Sequence, residues 1–197
     1  PAATDTGRYN SSDTFLEAST NLQNVSKKFA KLDPLFNTRD IFIPDPGMVI
    51  GEADLSQAEA RVAAWMANDP LAIEQYEQGV DRYWYLAASA FYDDPSFPRD
   101  LASREHKMQR DVGKMGLLAY QYGVSWKTWM DQTNHSADLT GVAVDAKTAK
   151  RVEGTFFELW PNYRTWWQEI EDTVLSRGYL INPFGRRRDF FGRRRRW

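Results

Sequence analysis

Cysteine is absent from the 197-residue chain, so disulfides and thiolate metal sites are excluded. Zero cysteine fits a cytoplasmic protein without requiring one. No apolar run approaches the roughly 20 residues that a membrane-spanning helix needs. A mean hydropathy of -0.62 also argues against an integral membrane protein. No secretory signal is visible: Pro1-Ala2-Ala3-Thr4-Asp5 is small and polar, and Pro1 reads as a trimmed or internal start. Histidine is scarce. His106 and His135 are followed by Lys107 and Ser136 rather than by acids. What is present is apolar and aromatic. With 42% hydrophobic residues and eight Trp, the chain can bury a sizeable core in one domain or two small ones.

The net charge of -2 hides an asymmetry. Residues 186–197 carry seven Arg and one Asp, a charge of +6, so the rest sums to -8. A basic end on an acidic body suits a polyanion contact. A solvated Arg tail is an equal alternative on composition alone.

Residues 4–26 are polar and read as loop with short extended pieces. Ile41-Phe42-Ile43 and Met48-Val49-Ile50 flank Pro44-Asp45-Pro46-Gly47, which predicts a hairpin that delivers Asp54 at a strand end. Ser56, with Glu59 three residues on, has capping-box spacing for a helix ended by Asp69-Pro70. Further helices are expected over 73–78, 81–91, 103–122, 145–160 and 163–177. Gly178 closes the last, and 179–181 with 186–191 predicts a hairpin. The expected fold class is α+β and helix-dominated, with few strands.

Three constellations carry candidate chemistry. Asp54, before a helix start, is placed to bind Mg²⁺, which takes one or two carboxylates together with phosphates and water. It is equally able to cap the helix beside Ser56. Arg110 and Lys114 stand one turn apart on one helix face, continued by Leu118 and Tyr122. Stacked cations repel, so an external anion such as a triphosphate explains them well. A solvated charged face, with Asp111 pairing Lys114, remains open. Finally Arg8, Asn21, Gln23 and Asn24 are side chains suited to minor-groove acceptors and phosphates, or to a polar loop.

In this order and spacing the segments resemble family A DNA polymerases. Thr6-Gly7-Arg8 and Asn21-Leu22-Gln23-Asn24 look like the palm segment that touches the primer–template duplex. Asp54-Leu55-Ser56-Gln57-Ala58-Glu59-Ala60-Arg61 is similar to motif A, and Arg110 through Gly123 to motif B on the fingers. Phe184-Gly185-Arg186-Arg187-Arg188 resembles the segment that follows.

The resemblance implies a partial palm over 1–70 and helical fingers over 71–197. It implies that Asp54 and the Leu55 carbonyl bind catalytic Mg²⁺. Gln57, Glu59, Arg110, Lys114, Leu118 and Tyr122 would line the nucleotide site, with Glu59 as the gate against a ribose 2′-OH. Arg8, Asn21, Gln23, Asn24, Gly123, Arg186 and Arg187 would touch DNA. The implied partners are primer–template DNA, dNTP and a separate C-terminal polymerase chain, with no membrane. The implied setting is the cytoplasm of a bacterium or phage-infected cell.

Some positions depart from the family pattern. Leu55 replaces an aromatic, Leu118 a Phe or Tyr, Tyr83 a His and Leu117 an Asn. The family's second carboxylate motif is not found in these residues. The expectation is therefore template-directed DNA synthesis as a fragment or split subunit, inactive alone. A non-catalytic nucleic-acid-binding module and part of a single-subunit RNA polymerase are the rival readings.

Overall fold

The structure, a computed structural model, describes residues 42–51 and 55–190. The chain divides into two compact units, Pro1–Asp54 and Leu55–Trp197. In the first, the expected turn forms: the Met48 amide donates to the Asp45 carbonyl at 2.9 Å, with Gly47 at φ 84. Residues 42–43 and 48–50 are irregular and do not form the predicted strands. Pro44 and Pro46 lack ladder donors. Ile43 and Val49 are 80% and 92% exposed, so no buried face rewards pairing.

The second unit contains eight helices and one two-stranded sheet among the described residues. The helices are α1 (Ala58–Met66), α2 (Pro70–Glu77), α3 (Arg82–Tyr92), α4 (Arg104–Tyr120), α5 (Trp126–His135), α6 (Ala137–Thr140), α7 (Ala146–Leu159) and α8 (Asn162–Arg177). Strands β1 (Tyr179–Ile181) and β2 (Arg187–Asp189) pair antiparallel, with Leu180 opposite Arg188. The helix-dominated expectation holds. No helix among the described residues is long and apolar enough to cross a membrane.

Most helix starts follow from their caps. Asp69, Asp81, Ser103, Ser125 and Asp145 each accept a backbone N–H in the first turn of the helix they precede. Such a cap stabilises by about 1 kcal/mol. Asp69-Pro70 thus begins α2, with Pro at its first position, where a missing N–H costs nothing. α1 is the exception. Its cap is Gln57 in the left-handed region at φ 55, with no side-chain hydrogen bond, so the expected Ser56–Glu59 capping box does not form. Ala60, Ala63 and Ala64 are its buried face, while Val62 and Trp65 are 52% and 59% exposed.

The core forms where α4 is gripped from two sides. A Cβ on Gly113 would collide with the Tyr83 carbonyl oxygen of α3, and one on Gly116 would meet Val152 of α7 at 2.9 Å. These two glycines let three helices approach closely. They bury the Val112, Leu117 and Tyr120 face of α4 and turn Arg110, Lys114 and Leu118 away from it.

A buried cation ties the remaining helices together. The Arg82 guanidinium is sandwiched between the Tyr76 ring at 4.5 Å and the Trp160 ring at 4.2 Å. Arg82 Nε and Trp160 Nε1 both donate to Gln75 Oε1 at 3.1 Å. α2, α3 and the end of α7 are thereby joined through one amide oxygen. Nearby, burial pushes the Tyr163 hydroxyl up to about 12, opposed by the Arg82 charge.

Candidate nucleotide and nucleic-acid site

Glu59 of the motif A-like stretch and Tyr122 of the motif B-like stretch meet within the second unit. The Tyr122 hydroxyl, just past α4, donates to Glu59 Oε2 of α1 at 2.6 Å. α1 is held by Arg61, whose Nε donates to the Ser56 carbonyl at 3.1 Å and whose Nη1 donates to the Tyr76 carbonyl at 3.3 Å. Arg61 therefore grips the backbone of two segments, and its charge lies 4.9 Å from the Tyr76 ring centre. Gln57 and Leu55 are exposed at the N-terminal end of this arrangement.

On a middle turn of α4, Arg110 is already paired. Its Nε donates to Asp81 Oδ2 at 2.6 Å and its Nη2 to Asp81 Oδ1 at 3.2 Å. Arg99 Nη1 approaches the same Oδ2 at 3.6 Å. The Tyr83 ring lies beneath both α4 cations, 5.2 Å from the Arg110 guanidinium and 5.9 Å from Lys114 Nζ. Burial raises the Tyr83 pKa, with the Arg110 charge opposing it, so this hydroxyl stays protonated near neutrality. Lys114 is exposed and forms no ion pair with Asp111 among the described residues.

α4 thus carries Arg110 and Lys114, with Asp81 and Arg99 beside Arg110, then Leu118, and past its end the Tyr122–Glu59 bond. Gly123 follows at φ 72, and a Cβ there would lie 3.2 Å from the Trp167 ring. Its left-handed backbone and that ring both favour glycine.

The Arg-rich hairpin is a built turn. Asn182 Oδ1 accepts from the Phe184 amide at 3.1 Å and the Arg186 amide at 2.8 Å, and Phe184 is 92% exposed. The Arg187 fork folds back, donating to Asp189 Oδ1 at 2.8 and 2.7 Å with its charge 4.0 Å from the Tyr179 ring centre. Arg186 is exposed.

The structure therefore joins Glu59 and Tyr122 just past the C-terminal end of α4, two residues from the exposed Gln57 in sequence, with Arg110 and Lys114 on the middle turns of that helix. Asp54, Arg8, Asn21, Gln23 and Asn24 lie outside the described residues. No group of three metal-ligating side chains occurs among the described residues. Sequence reasoning missed Asp81 and Arg99 as neighbours of Arg110. Asp81 carries a cap signal, but nothing local signals its partner 29 residues on.

The DNA polymerase family A profile matches residues 1–195. The chain belongs to DNA polymerase family A. It is 28% identical over 152 residues to a DNA polymerase of Mycobacterium phage D29, covering 77% of this chain and 22% of that relative. It is 29% identical over 187 residues to the thermostable DNA polymerase I of Thermus filiformis, covering 94% of this chain and 19% of the relative. Among solved structures it is similar to the POL domain of Pol1 from M. smegmatis in complex with DNA primer-template and dNTP. There the TM-score is 0.64 at 26% identity, over 94% of this chain and 29% of that one. The chain thus spans about a fifth of the length of these two family A relatives.

Proposed function

We propose that this chain supplies the nucleotide-facing fingers and the start of the palm for template-directed DNA synthesis. The reading divides it at 1–70 and 71–197. The observation that carries it is the Tyr122–Glu59 bond at 2.6 Å, joining two motifs 63 residues apart beside one cationic helix. A dNTP laid along α4 would meet Arg110 and Lys114 at its triphosphate, with Leu118 and Glu59 at its sugar. Tyr122 and Gly123 would face the templating base. Positioning and charge stabilisation are the principal contributions a protein makes to phosphoryl transfer.

Polymerases of this family use divalent metal ions. Asp54 and the Leu55 carbonyl are the residues that would hold Mg²⁺. Both are hard oxygen donors of the kind that ion takes. The ion would neutralise charge on the transferring phosphate. Two-metal nucleotidyl transfer needs further carboxylates, which residues outside this chain would provide in the same or a separate polypeptide. We therefore assign the 197-residue polypeptide no primer extension of its own. Primer–template DNA is the proposed partner, with Arg186, Arg187 and the N-terminal Arg8, Asn21, Gln23 and Asn24 as its contacts.

The test is dNTP affinity in the polymerase that carries this chain. Losing one charge-assisted contact costs about 1.5–3 kcal/mol, so Lys114→Ala should weaken binding about tenfold or more. Unchanged affinity would remove α4 from the nucleotide site.

A further inference from the structure

Asp81 occupies the edge of Arg110 that a phosphate would use. Carboxylates and phosphates both engage arginine through paired N–H groups, and here Nε and Nη2 both point at Asp81, at 2.6 and 3.2 Å. The pair is only partly screened by solvent, with Arg110 27% and Asp81 38% exposed. Asp81 also accepts from the Trp84 amide at 3.4 Å, so its position is fixed by the start of α3.

Arg99 approaches the same carboxylate oxygen that Arg110 Nε binds. It follows a loop pinned onto α3: Trp84 Nε1 donates to the Phe97 carbonyl at 2.8 Å, and Phe97 stacks on Tyr92 at 3.9 Å. Arg99 Nη1 lies 3.6 Å from Asp81 Oδ2, and Arg99 Nε is buried without a partner.

We infer that Asp81 and Arg99 are positioning residues for triphosphate binding, acting by exchange of counter-ions. Without nucleotide, Asp81 holds Arg110 in place as an internal stand-in for phosphate. When a triphosphate arrives, Arg110 transfers its fork to the phosphate oxygens, and Arg99 takes over the released carboxylate. Lys114, which is not held by Asp81, meets the phosphates directly. The inference rests on the assignment of α4 to the triphosphate.

The exchange predicts opposite signs for two substitutions, a pattern that general damage to the fold does not produce. Asp81→Asn keeps a capping side chain at the α3 start while removing the competing charge. Arg99→Ala leaves the released carboxylate unpaired. The measurement is equilibrium binding of dATP and of inorganic tripolyphosphate to the 197-residue chain, by competition with a fluorescent nucleotide. Circular dichroism confirms helicity in each variant. Asp81→Asn should tighten both ligands by about two- to fivefold, the range of partly exposed ion pairs, and Arg99→Ala should weaken both to a similar extent. Unchanged or weaker binding in Asp81→Asn, or unchanged or tighter binding in Arg99→Ala, overturns the exchange. Arg110→Ala and Lys114→Ala read the underlying assignment. If neither weakens binding, or if the wild type binds neither ligand, the triphosphate site itself is misplaced and the exchange falls with it. If both weaken binding while Asp81→Asn fails to tighten it, the exchange alone is wrong.

Discussion

The Tyr122 hydroxyl holds one Glu59 oxygen at 2.6 Å. Both side chains are exposed in this structure, so the bond is weaker than its length suggests, about 1 kcal/mol or less. If Glu59 selects against the 2′-OH, Tyr122→Phe should relax sugar selection without abolishing it. The expected rise in the ratio of ribonucleotide to deoxyribonucleotide incorporation is roughly two- to fivefold, from that energy. Glu59→Ala should raise it further. The measurement is competition between rNTP and dNTP in the assembled polymerase, and identical ratios in all three proteins would remove this pair from the sugar site. The types and spacing of Glu59 and Tyr122 suggest their roles in the sequence. Their contact is not legible there, because it depends on how α1 packs beside the end of α4. Asp81 shows the same limit. Its cap is a local property, whereas its grip on Arg110 comes from the crossing of α3 and α4.

That crossing depends on glycine. The pattern over 103–122 predicts a helix, and α4 forms between the Ser103 cap and Tyr120. Gly113 lowers helix propensity, so its reason lies outside the helix. A Cβ there would strike the Tyr83 carbonyl oxygen and lie 3.1 Å from Ala87 Cβ. Gly113→Ala should therefore destabilise the fold by about 1–3 kcal/mol or more, because backbone cannot yield as a side chain can. Gly154 of α7 is the control, since nothing lies within 4 Å of its added Cβ. Gly154→Ala should stabilise by about 0.5–1 kcal/mol. Urea unfolding of the two variants checks the contrast, and equal effects would contradict the packing described. α3, α7 and the 179–189 hairpin were legible from sequence, α8 follows its periodicity although Pro161 supplies no side-chain cap, and α2 begins at Pro70, three residues before the expected 73. α5 was not anticipated. Trp126, Trp129, Met130 and Thr133 have helical spacing, yet only Trp129 and Thr133 are buried and polar residues dominate the segment. The predicted 41–50 hairpin failed for the opposite reason, with apolar residues present but no buried face to receive them.

At the scale of the whole molecule, the helical unit keeps packing and charge on different sides of α4. The buried Arg82–Gln75–Trp160 cluster and the two α4 glycines fix the helices, and the cations of α4 are left outward. Family membership was legible because Asp54, Glu59, Arg110, Lys114, Tyr122 and Gly123 keep the order and spacing of motifs A and B, although Leu55, Leu117 and Leu118 depart from them. The Arg99–Asp81–Arg110 cluster was not, because its members come from a loop, a helix start and a helix separated in sequence. The central claim is that these residues serve DNA synthesis. It is tested most directly by single-nucleotide incorporation on a primer–template with Mg²⁺, using the polymerase that carries this chain, wild type against Asp54→Ala. Loss of incorporation with primer–template binding retained is the predicted result. Incorporation at the wild-type rate by Asp54→Ala would contradict the account.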